Sequence, residues 1–135
     1  VLSSVPFIED IFRSRMMTVT VGLLGVGATG VGVFNGSWGG IHALFAMTTF
    51  VSGGVAAASS YRVLHPPLRH LSLVLGVISL GTLATYFVSG EDGILGDLGP
   101  GGIERWVAYP IVFWIIGLGA YVMGTDARQA SEKRH

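Results

Sequence analysis

The sequence predicts an all-α integral membrane bundle of four transmembrane helices, and three observations carry that prediction. Half of the 135 residues are apolar and only 12% are charged, about half the charged share of a soluble domain. Mean hydropathy is +0.64. Most telling, four runs contain no Asp, Glu, Lys or Arg: Met16–Phe34, Ile41–Tyr61, Leu71–Val88 and Trp106–Met123. At ~1.5 Å per residue each run reaches roughly 27–32 Å, the thickness of a bilayer's hydrocarbon core. The 8 basic and 8 acidic side chains all fall outside them. We expect one transmembrane domain over residues 1–135.

Residues 1–15 precede the first span. Val1–Ile8 is apolar but too short to cross a membrane. Two readings stay open: the remnant of a preceding helix, which is preferred, or a short interfacial segment. In the first span Gly22, Gly25, Thr29 and Gly32 recur at helical spacing, followed by Gly36. Helix packing in lipid depends on close approach through small residues, so this row is expected to be a packing seam. The second span repeats it with Ala46, Thr49, Gly53, Ala56 and Ser60; the third has Ser72, Gly76 and Ser79; the fourth has Gly117, Ala120 and Gly124. Asn35–Gly40 reads as a tight polar turn between antiparallel helices. His65-Pro-Pro67 ends the second span, because proline cannot extend it. Trp38, Tyr61, Trp106 and Tyr109 sit at expected membrane interfaces. Pro110, about one turn inside the last span, is expected to bend that helix or mark its start. Residues 124–135 are expected to form a cytoplasmic tail.

Alternating helices sort the charges onto two sides. Arg13, Arg15, Arg62, Arg69, Arg128, Lys133 and Arg134 share one side, and Arg105 is the sole basic residue on the other. The positive-inside rule therefore places both termini in the cytoplasm of a cell-membrane protein. The opposite face is net acidic, with Glu91, Asp92, Asp97 and Glu104. Zero net charge leaves no field for nucleic acid. The absence of Cys excludes disulfides, thiolate metal sites and a Cys nucleophile.

Chemistry has few candidates. His42 lies on the second helix's small-residue row, on the same side as Glu91, Asp92, Asp97, Glu104 and Arg105. A histidine facing carboxylates can bind a cation or exchange a proton. The plainer reading, which we prefer, is a histidine bonded to a loop carbonyl or to Glu104, fixing the loop. No second His lies on that side, and the spacing matches no metal motif. His65 and His70 flank Pro-Pro at the opposite end, so they form no haem pair with His42. With them, Arg62 and Arg69 make a basic loop suited to lipid headgroups. The Gly-rich loop 90–102 has no Walker or EF-hand spacing, and we read it as a lid over the bundle's outer end. No Asp, Glu, Lys or Arg lies inside a span, against the habit of pumps and proton-coupled transporters. The residues call for no cofactor and no metal.

Four stretches together resemble the prokaryotic multi-pass membrane proteins of domain-of-unknown-function family 998, common in archaea. They are Gly30–Phe34, Gly39–Phe45, Ser60–Pro67 and Gly101–Pro110. In that family a Gly-Val-Phe-Pro-like helix end is followed closely by a His opening the next helix. Phe34 and His42 match this, while Asn35 stands where the family often has Pro. The resemblance covers roughly residues 12 to 124. It implies the C-terminal part of a six-helix bundle, with up to two preceding helices outside this chain, and no assigned reaction.

The expectation for function is a structural, accessory or sensing bundle in the lipid bilayer, set among other membrane helices or subunits of a larger complex. The alternative is a membrane enzyme or small-molecule carrier with an outward-facing site around His42 and the acidic loop.

Overall fold

A computed structural model of the chain describes residues 5–90 and 93–133, and among these all regular structure is helical. The helices are α1 (Val5–Val33), α2 (Gly40–Ser59), α3 (Leu68–Ser89) and α4 (Gly99–Glu132), joined through short 3-10 turns at Gly36–Trp38, Ser60–Arg62 and Gly96–Leu98. Each helix carries a stretch long and apolar enough to cross a membrane: Arg15–Val33, Gly40–Arg62, Leu68–Ser89 and Gly96–Gly124. The four expected spans are therefore present.

Their ends differ from the sequence expectation. Residues 5–15 form no separate segment; they continue without a break into the first span. The last helix begins at Gly99, about two turns before Trp106, and runs through the expected tail to Glu132. Gly99 has a φ of +64°, and Pro100 follows it in the first turn, where a missing N–H costs nothing. Pro110 consequently sits inside the helix rather than at its start. Its ring deprives the Trp106 carbonyl of a helical donor. One residue on, the Ser79 hydroxyl donates to the Val107 carbonyl at 2.8 Å, tying α3 to α4 beside the proline.

Helix α2 packs against all three others. Its buried residues are Ser52, Gly53, Gly54, Ala56 and Ala57, continued by Ser60. None carries a bulky side chain, so three helices come close to its backbone. A Cβ on Gly53 would strike Ile111 at 2.8 Å and Leu24 at 3.1 Å, and one on Gly54 would strike Leu80 at 2.7 Å. From the other side, a Cβ on Gly76 of α3 would lie 2.5 Å from the Ala58 backbone nitrogen. Trp114, 1% exposed, fills the centre beside Leu24, Ala56, Ala57 and Ile111.

On α1 the residues turned toward α2 are not the expected row. Thr20, Leu24, Gly27 and Gly30 are buried, and a Cβ on Gly27 would lie 2.8 Å from the Thr49 backbone nitrogen. Phe45 occupies the space over Gly30. Gly22, Gly25 and Gly32 instead face open space, with nothing within 4 Å of a Cβ at any of them. On α2, Ala46 and Thr49 are half-buried, and Gly53 and Ala56 are fully buried. On α4, Gly117 approaches Leu68, whereas Gly124 meets nothing.

Seven of the hydroxyls within the spans are bonded to their own helices. Thr20, Thr29, Thr48, Thr49, Ser52, Ser60 and Thr85 each donate to the carbonyl four residues earlier. This back-bonding lets a polar side chain sit in hydrocarbon without a partner helix.

Replacing Gly76 by Ala forces the α2 and α3 backbones apart, because the obstructing atoms are main chain. Thermal unfolding in detergent should show a loss of about 1–3 kcal/mol. Gly81→Ala, with nothing within 4 Å, should be neutral or raise stability by up to about 1 kcal/mol.

Candidate functional site at the hairpin end of the bundle

The α1–α2 connection is built from short polar and aromatic residues. The Asn35 side-chain oxygen accepts from the Ser37 amide at 3.1 Å and from the Ser37 hydroxyl at 2.5 Å, capping the 3-10 turn. Gly39 then reverses the chain at φ +52° and ψ −112°, a conformation that side chains resist. Phe34 stacks on Phe45 at 5.5 Å between centroids and takes the edge of Trp38 at 5.6 Å. The Gly30 surface is what allows Phe45 to lie against α1.

His42 completes this clasp. Its Nδ1 lies 2.6 Å from the Phe34 carbonyl oxygen. A carbonyl can only accept, so Nδ1 carries a proton and donates it to this bond. The partner is thus a main-chain carbonyl at the end of α1, not a carboxylate.

Beside the clasp is a cavity of about 220 Å³ between α2, α3 and α4. Phe50, Ile103 and Val107 supply apolar wall, and His42, Tyr86 and Glu104 bring polar groups to it. Of the expected polar site, then, the structure joins His42 and Glu104 and adds Tyr86. Tyr86 lies in the third charge-free run, among the hydroxyl-bearing residues that could line a polar path. Arg105 lines a different groove, between α3 and α4. Asp97 is exposed in the Gly96–Leu98 turn. Glu91 and Asp92 lie outside the described residues. Among the described residues, no three His, Asp or Glu side chains gather as a metal site would require.

At the opposite end, the rings and charges hold one another. His65 Nδ1 lies 2.9 Å from the Tyr121 hydroxyl, joining the Pro66-Pro67 connection to α4. The Arg69 guanidinium sits 4.1 Å above the Tyr61 ring, whose other neighbour is the edge of His70 at 5.8 Å. Arg62 is exposed. The two arginines expected at headgroups therefore differ: one is free, the other folded onto an aromatic ring.

Residues 5–121 match the family described as a protein of unknown function, DUF998. The chain belongs to DUF998. That match takes in the first three spans and most of the fourth, ending before Gly124 and before the end of α4. No curated protein and no solved structure matches the chain. This DUF998 chain is accordingly a multi-pass membrane protein with no assigned reaction.

Replacing His42 by Ala in the DUF998 protein removes the bond between α2 and the end of α1. Such bonds within membrane bundles contribute about 0.6–2 kcal/mol. Hydrogen exchange in detergent should accelerate at the amides of residues 35–41, while those of 63–65 keep their wild-type rates.

Proposed function

We propose that this DUF998 chain is a structural or accessory bundle that docks other membrane helices through the outer face of α1. The observation that carries the reading is the open row of Gly22, Gly25 and Gly32. Within the chain, α2 takes Gly27 and Gly30, so this second small-residue row is left unused. The Thr29 hydroxyl, on the same row, donates to the Gly25 carbonyl at 2.8 Å and so is satisfied within its own helix. A bare helix face of this kind suits another helix, because close backbone approach replaces the missing hydrophobic drive in lipid. In this reading both termini are cytoplasmic in the cell membrane, supported by seven basic residues on the Pro66-Pro67 side against Arg105 on the other.

Gly25→Leu tests it. The variant should fold and unfold like wild type, since nothing lies within 4 Å of that position. It should also lose the larger species that chemical cross-linking in native membranes captures for wild type. Unchanged cross-linking in Gly25→Leu counts against docking on this face.

The cavity at His42, Tyr86 and Glu104 supports a second reading, a site for a small amphipathic molecule. Apolar walls with a few convergent polar groups are the usual form of ligand pockets. Ligand-detected NMR with phenol in nanodiscs should report binding to wild type that falls at least fivefold in Tyr86→Phe. Equal signals in the two proteins argue against this site.

A further inference from the structure

A groove of about 500 Å³ runs along the outer surface between α3 and α4. Its apolar length is formed by Leu75, Ile78, Tyr109 and Phe113, and its upper end by Arg105 and Trp106. The Ser79–Val107 bond fixes the antiparallel register of the two helices, which sets Gly81 of α3 level with Arg105. A side chain at Gly81 would meet nothing within 4 Å, so no residue there closes the charged end. From Arg105 to Phe113 the groove descends about 12 Å along α4, close to the ~15 Å depth of one leaflet's hydrocarbon. Trp106 and Tyr109, both more than half exposed, stand at the level where aromatic rings anchor at the headgroup boundary.

Charge decides what such a groove would hold. Arg105 forms no ion pair or hydrogen bond among the described residues, and it is the only basic residue at this end of the bundle. A guanidinium binds a phosphate through paired N–H donors. Below it the walls offer only hydrocarbon and rings. Cation above and apolar channel below, over the depth of one leaflet, match a phospholipid.

We propose that this groove binds one phospholipid, its phosphate on Arg105 and one acyl chain along Leu75, Ile78 and Phe113. The proposal is independent of the docking face on α1, which lies on another helix.

The test uses Trp106 as the reporter in a W38F background. Trp38 is 57% exposed and would report bulk lipid, whereas Trp114, 1% exposed, is shielded by the core. The protein is placed in nanodiscs doped with increasing fractions of a chain-brominated phospholipid or of a brominated diacylglycerol with the same chains. Half-maximal quenching of Trp106 should need an about tenfold lower fraction of the phospholipid, the factor contributed by one charge-assisted hydrogen bond. Arg105→Gln, at an exposed position, should abolish the difference while leaving circular dichroism unchanged. Free inorganic phosphate at millimolar concentration should not compete, because it lacks the chain. Equal quenching by the two lipids in the Arg105 protein overturns the proposal. So does a preference that persists in Arg105→Gln, or one erased by free phosphate.

Discussion

Everything in this bundle depends on how closely other helices come to the backbone of α2. In water, burying large apolar side chains drives helices together; in lipid that drive vanishes, since hydrocarbon surrounds the helix either way. What remains is dispersion between tightly apposed surfaces and the few hydrogen bonds that cross them. Gly53, Gly54, Ala56, Ala57 and Ser60 expose the α2 backbone to neighbours on several sides. Ile111 of α4 and Leu24 of α1 meet over Gly53, Leu80 of α3 lies over Gly54, and Gly76 of α3 rests on Ala58. Larger residues along that stretch would separate all three neighbours at once.

The same constraint explains where polar groups are placed. Back-bonded Thr and Ser hydroxyls are self-sufficient and can sit at any depth. The exceptions gather on one seam. Trp114 Nε1 and Ser72 Oγ are buried without a hydrogen-bond partner, and the register set by Ser79 and Val107 brings residues 72 and 114 to the same level. An indole N–H only donates and a hydroxyl also accepts, so complementary atoms share one level of the α3–α4 contact. At one end of the bundle Arg69 covers the Tyr61 ring and His65 reaches Tyr121.

The number and class of the helices could be read from the sequence because charge is the costliest thing to place in a bilayer, and its absence marks each span. The packed face of α1 could not. Its sequence carries two small-residue rows, one through Gly22, Gly25 and Gly32 and one through Gly27 and Gly30. A soluble helix would separate two such faces by polarity; a lipid-exposed helix is apolar all round, so periodicity does not choose between them. The start of α4 did leave a signal, in Gly99-Pro100, hidden because Glu104 and Arg105 interrupt the apolar run while remaining helical. For His42, polar residues on the same side suggested carboxylate partners. The preferred reading names a loop carbonyl or Glu104; the partner is a main-chain carbonyl, that of Phe34 just past the end of α1, a position that no composition singles out.

That last point bears on where activity can reside. His42 and His65 each have one ring nitrogen committed to joining elements of the fold, and Arg69 is engaged with Tyr61. Each of these groups thereby ties a connection to a neighbouring element at one end of the bundle. The parts of the chain not spent on holding it together are surfaces: the bare row on α1, the small cavity beside Tyr86 and the groove below Arg105. In a bundle whose interior is occupied by backbone packing, those surfaces are what remain available for contact with the surroundings.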